Sequence, residues 1–189
     1  MSVYDRLLRP GDKNCVVTTI TVTASGTVIT SDEPNVFHWR MYLGLSMFPV
    51  VSRSKGVLLD MIPTNPPIGT LVVSSKDTAS SRAHNKVELS IATVGSPTVA
   101  QIVQLFIEKG MHRYNFDDTG SGCLYWTATG IQHLQDARLV ESGAVSKLWT
   151  FHMDQAARHP GRHPLPVRQG TFYWRVSFFH HWNCVYSCF

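Results

Sequence analysis

Cys123 lies in Thr119-Gly120-Ser121-Gly122-Cys123-Leu124-Tyr125-Trp126, where a Gly/Ser loop runs into a helical pattern. A thiol on the first turn of a helix meets unpaired N–H groups and partial positive charge, which favour thiolate, and the thiolate is the nucleophile. The strand-like run Val36-Phe37-His38-Trp39-Arg40-Met41-Tyr42-Leu43-Gly44-Leu45 carries one histidine. A Cys/His pair brought together by folding is the core of a nucleophilic enzyme, with His38 as base and Cys123 as attacking atom. Gly120 and Gly122 leave the backbone bare, so that a substrate carbonyl can approach the first N–H groups of the helix as an oxyanion hole.

A catalytic histidine needs a third group to fix its tautomer. Asp60 is a carboxylate in the otherwise apolar strand Val57-Leu58-Leu59-Asp60-Met61-Ile62, where an unpaired charge is costly. A symmetric hairpin around Pro49–Val51 sets His38 nearer Thr64 than Asp60, so Asp60 requires a register shift or a lengthwise offset. Asp60 is the first choice and Thr64 the second. His133 is ten residues along the helix from Cys123, roughly 15 Å away at helical rise, and is excluded as the base. On an alternating strand His38 shares its face with Arg40, Tyr42 and Gly44, while Phe37, Trp39, Met41, Leu43 and Leu45 share the other. The Cys123 helix is expected across the His38 face, with Gly44 leaving room for it. Arg40, Tyr42, Gly122 and Trp126 are the residues expected to contact substrate.

These groups must be positioned by a sheet followed by helices. Residues 15–23, 36–47, 56–62, 70–75 and 87–93 are rich in β-branched and aromatic residues and read as strands. The period then changes: Val99, Ile102, Val103, Phe106 and Ile107 fall at helical spacing, with Ser96 as N-cap, Pro97 at the first helical position and Gly110 past the end. A second helix follows Gly122, with Cys123, Trp126, Thr127, Gly130, Ile131 and Leu134 on one stripe. A third carries Val145, Leu148, Trp149 and His152, and a short strand near residues 170–173 closes the sheet. Strands first and helices later predict an α+β fold, an antiparallel sheet with two to three helices on one face.

A chain of 189 residues, 43% hydrophobic and 16% charged, is sized for one domain over residues 1–173, followed by an aromatic tail at 174–189. Four scattered cysteines read as reduced thiols, and the charged N-terminus lacks a signal-peptide core. No run is long enough to cross a bilayer, so a cytoplasmic protein is expected. The net charge of +4 is mild, and its densest stretch, Arg158-His159-Pro160-Gly161-Arg162-His163-Pro164, reads as a solvated connection because Pro and Gly prevent a regular basic face. No nucleic-acid partner is expected. Gly120-Ser121-Gly122 lacks the lysine of a phosphate loop, and Asp117-Asp118 reads as turn chemistry. His180, His181, Cys184 and Cys188 have the donor types for zinc but crowd into one terminal stretch, so no metal and no cofactor are assigned.

The order of strand histidine before helix cysteine resembles the circularly permuted papain-like enzymes, including the lecithin:retinol acyltransferase-like group. Phe37-His38-Trp39-Arg40-Met41-Tyr42-Leu43-Gly44 is similar to their histidine strand, and Gly122-Cys123-Leu124-Tyr125-Trp126 to their helix start. The chain differs in carrying Gly122 where those enzymes commonly have asparagine and Leu124 where they have an acidic or amide residue. It also resembles a family of small fungal proteins with an aromatic-flanked histidine strand, an Arg-Tyr segment like Arg113-Tyr114, a Gly-Cys-x-x-Trp helix start and an ending like Gly170-Thr171-Phe172-Tyr173. The resemblance implies a permuted papain-like fold and cysteine-dependent acyl transfer or hydrolysis of an amide, ester or thioester in a small-molecule or peptide substrate. The rivals are a non-catalytic binding module on the same scaffold, and an isomerase or cyclase using the cleft without an acyl-enzyme.

Overall fold

The computed structural model describes residues 3–28, 36–46 and 53–173. The fold is α+β, as the order of patterns predicts. Among the described residues eight strands, β1 (Val3–Leu7), β2 (Val17–Val28), β3 (Val36–Leu45), β4 (Gly56–Asn65), β5 (Ile68–Lys76), β6 (Lys86–Ala92), β7 (Tyr114–Asn115) and β8 (Thr171–Phe172), join in one sheet. Their order is β6-β2-β3-β4-β5-β7-β8, with β1 attached to β5. All pairings are antiparallel except that of β1, which runs parallel to β5 at Val3↔Leu71 and Tyr4↔Val72. β1 and β7 had no sequence signal: the first is a charged, largely exposed edge strand and the second is two residues long.

Period-two patterning divides the sheet into two unlike faces. Pairings such as Val22↔Met41, Met41↔Leu59 and Leu59↔Val73 bring one apolar row into line, and its members are fully buried. The opposite face carries Thr21, Thr23, Ser25, Arg40, Tyr42 and Asp60. Helices α1 (Val99–Glu108), α2 (Cys123–Asp136) and α3 (Ala144–Arg158) close the core with Val99, Ile102, Phe106, Trp126, Ile131, Leu134 and Leu148.

The start of α1 differs from the expected cap. Val17 donates to the Pro97 carbonyl, which keeps the chain extended through Pro97. Thr98 is the N-cap instead, in a capping box: its hydroxyl accepts from the Gln101 N–H and the Gln101 side chain accepts from the Thr98 N–H.

A second correction bears on the site. Helix α2 lies on the apolar face of β3, not on the His38 face: a Cβ at Gly130 would stand 3.0 Å from Met41 Cε and 2.9 Å from Phe106 Cζ, so only glycine admits this approach. Gly44 makes room for Thr19 and Ala79, not for a helix.

Candidate active site

Strands β3 and β4 pair from Gly44↔Gly56 to Met41↔Leu59 and then part. Beyond that point two successive donors of β3 find other partners: the Phe37 N–H donates to the Arg162 carbonyl at 3.1 Å, and the Trp39 N–H to Cys123 Sγ at 3.4 Å. The sulfur therefore stands where the ladder would have continued, in the plane of the sheet. The split is what lets a cysteine on the helical side meet a histidine from the polar side.

His38 is flanked on both sides. Its Nε2 lies 2.6 Å from Asp60 Oδ1, while Arg40 Nε donates to Asp60 Oδ2 at 3.1 Å. On its other side is the Cys123 thiol, and the interaction of imidazole with sulfur favours the charged form of each. With Nε2 engaged by the carboxylate, Nδ1 is the nitrogen that remains for sulfur. The pairing from Gly44↔Gly56 to Met41↔Leu59 is the symmetric register, with no shift: it sets Arg40 opposite Asp60, and His38, the next residue on that face, reaches Asp60 by a lengthwise offset. Thr64 is occupied elsewhere, its Oγ1 lying 2.6 Å from Thr70 Oγ1.

The three groups tune one another. Burial works against charge on His38, but the bonds to Asp60 and Cys123 outweigh it and raise the imidazole to about 9. Burial likewise opposes ionisation of Cys123, yet the His38 bond and charge and the Trp39 and Leu124 N–H groups bring the thiol below its ordinary value. Asp60 is held below the usual carboxylate range because His38 and Arg40 overcome its burial. The three shifts all favour the charged forms, thiolate beside imidazolium beside carboxylate.

The approach to Cys123 is held by backbone. Buried Tyr114 donates its hydroxyl to the Gly122 carbonyl at 2.8 Å and accepts from the Gly170 N–H at 2.9 Å. Gly122 has φ +126°, and a Cβ there would lie 2.5 Å from Tyr114 Oη, so both conformation and space demand glycine. Asp117 Oδ1 accepts from the N–H groups of Thr119 and Ser121 and from the Thr119 hydroxyl, which is the turn role expected of it. Tyr114→Phe removes one donor and one acceptor from buried backbone groups. The expected cost is about 2 kcal/mol, read as a Tm lower by roughly 4–8 °C; an unchanged Tm would remove Tyr114 from this role.

The expected substrate contacts divide. Gly122 lines the cavity beside the sulfur. Arg40 and Tyr42 line a separate groove of about 450 Å³ on the opposite face of the sheet, with Asp60, Arg9 and Arg82. Trp126 lines neither: it is fully buried, packs edge-on against Phe106, and donates Nε1–H to the Met111 carbonyl at 2.7 Å, so it belongs to the core.

Two histidines that the sequence did not assign to the site line the cavity at Cys123. His152 comes from α3 and His163 from the loop after it, each 1% exposed. The loop at 158–164 is therefore not a solvated connection at His163: it folds back, bonds β3 through Arg162, and buries His163 against Phe37 and Trp39. Burial, then the neighbouring His152, His159 and Arg162, hold His163 down at about 4, and burial lowers His152. Both are neutral at pH 7. The sign of His152 was its place in an apolar helical stripe. His163 had no comparable signal.

Among the described residues no group of three or more His, Cys, Asp or Glu is placed to hold a metal ion. The terminal His180, His181, Cys184 and Cys188 lie outside the described residues. No described helix is long and apolar enough to cross a membrane.

Residues 18–173 match the family model described as a domain of unknown function, DUF7770. No curated protein and no solved structure matches the chain.

Proposed function

We propose that this chain, which belongs to the DUF7770 family, transfers or hydrolyses acyl groups through a covalent Cys123 intermediate. The observation that carries the reading is the His38–Asp60 pair at 2.6 Å set beside Cys123, whose sulfur accepts from the Trp39 N–H and whose ionisation the imidazole favours. Burying three ionisable groups together costs free energy that packing alone does not require, which favours a chemical role for the sulfur.

The Cys123 thiolate attacks the carbonyl carbon of an amide, ester or thioester, forming the C–S bond. The tetrahedral oxyanion faces the first-turn N–H groups of α2, which a helix leaves without carbonyl partners. Collapse breaks the bond to the leaving group, which takes the proton from His38. Water or an amine then gives a proton to the neutral imidazole and attacks the thioester. The C–S bond breaks, and the thiolate returns beside the imidazolium. Asp60 keeps the ring turned toward sulfur and stabilises its charge throughout. The order of strand histidine and helix cysteine agrees with a permuted papain-like ancestry, which this reading adopts.

Incubation with small acyl thioesters, followed by intact mass measurement and peptide mapping, tests it. A single adduct on Cys123, lost in Cys123→Ser, is expected. Labelling confined to Cys15, Cys184 or Cys188, or none at all, would refute the proposal.

A further inference from the structure

The cavity beside Cys123 has a volume of about 40 Å³, room for about three water-sized positions. Its walls are unequal in character. Phe37 and Trp39 form an aromatic side, and Cys123 opens into it from the start of α2. His152 and His163 line it too, with Arg162 and Arg168 among the remaining wall residues, and all four imidazole nitrogens are buried with no hydrogen-bond partner among the described residues.

Such a pair is expensive. A neutral imidazole carries one donor and one acceptor, and leaving either unmet in a buried site costs free energy. The rings are nevertheless fixed in place: His163 stands edge-on to Phe37 at 5.4 Å and to Trp39 at 5.7 Å, and His152 is 5.7 Å from Trp39 and 5.9 Å from His163. They come from different elements and converge on one space. Neither takes part in the Asp60, His38, Cys123 line, so the chemistry does not account for them.

We propose that this cavity is the acyl-group subsite and that His152 and His163 select a short acyl group, of about four non-hydrogen atoms, bearing its own hydroxyl or amide. The proposal rests on the acyl-transfer reading and sharpens it. A carbonyl carbon bonded to Sγ places the next two or three atoms of the acyl group inside the cavity, where a hydroxyl satisfies imidazole nitrogens that a methyl leaves orphaned. A site built to pair a hydroxyl discriminates strongly against the analogue lacking it. A long alkyl chain has no space.

The test uses N-acetylcysteamine thioesters of hydroxyacetic, propionic and octanoic acid. The first two are matched in size and differ by hydroxyl against methyl. Rates of Cys123 adduct formation are measured by mass, each divided by the rate of the same thioester with free N-acetylcysteine to remove intrinsic reactivity. In the wild-type chain hydroxyacetyl transfer should exceed propionyl by at least about tenfold, with octanoyl slower still. In His163→Leu and in His152→Leu, each checked by its melting transition, that ratio should fall toward one. A normalised ratio near one in the wild type, or preference for octanoyl, overturns the subsite while acyl transfer stands. Failure of all three donors to acylate Cys123 removes the acyl-transfer reading and the subsite with it.

Discussion

In a His38→Ala variant, alkylation of Cys123 by iodoacetamide at pH 7 falls by at least about tenfold. The sign follows from the balance at the sulfur. Burial pushes the thiol up, and the bond and charge of His38 bring it down, with smaller help from the Trp39 and Leu124 N–H groups. Without the imidazole the burial contribution prevails and the thiol rises above the ordinary thiol value of about 8.5. Each tenfold loss of thiolate is partly offset by the greater intrinsic reactivity of a more basic sulfur, so the rate falls less than the thiolate fraction does. The pH profile carries the diagnosis. The wild-type rate reaches its plateau below the ordinary thiol range, whereas the variant rate is still climbing through it. In acyl transfer the wild type has a second limit, because His38 gives up its proton near 9 and no longer supplies one to a poor leaving group. Superimposable alkylation profiles would mean that His38 does not activate the sulfur.

Much of this arrangement was legible before any coordinates. The strands containing His38 and Asp60 and the helix beginning at Cys123 declared themselves by period and by glycine, and those are local signals. The face on which α2 lies was not legible. Alternation along β3 put His38 on the polar face, and proximity to sulfur implied that the helix covers that face as well. The structure resolves the conflict by parting β3 from β4 after Met41↔Leu59, so that Cys123 enters the gap from the apolar side. Where a ladder ends depends on contacts with residues far along the chain, here Cys123 and the loop at Arg162, and no local period records it. The choice between Asp60 and Thr64 was not legible either, because an offset of two residues along β4 exchanges neighbours on the same face. Trp126 was misread because an aromatic beside a nucleophile suggests a substrate wall, whereas helical geometry turns it toward Phe106 and Met111. His163 escaped because Pro and Gly around it signal a loop, and a loop's burial depends on what it lands against.

The largest combined effect is expected from Asp60→Asn, which keeps the shape of the side chain and removes its charge. His38 and Arg40 both lean on that carboxylate, at 2.6 Å and 3.1 Å. Once it is neutral, burial governs His38, its affinity for a proton drops, and the Cys123 thiolate loses the opposite charge that holds it ionised. Acyl transfer is expected to fall by about a hundredfold or more, the range of a lost acid and base. Folding stability at pH 7 should fall by about 2–4 kcal/mol, as when one partner of a buried ionic group is taken away. The pH dependence separates an ionic role from mere packing. Asp60 is lowered in the folded chain, so its contribution is present above the unfolded carboxylate value and disappears as pH drops through the folded one. His38 is raised, so its contribution is complete below about 6.5 and disappears as pH climbs through about 9. The stability gap between wild type and Asp60→Asn should therefore be widest near neutrality and narrow toward both pH 3 and pH 10, in urea titrations at the three values. A gap of constant size would reduce Asp60 to a hydrogen-bonding spacer and remove the charge on which the proposed nucleophile depends.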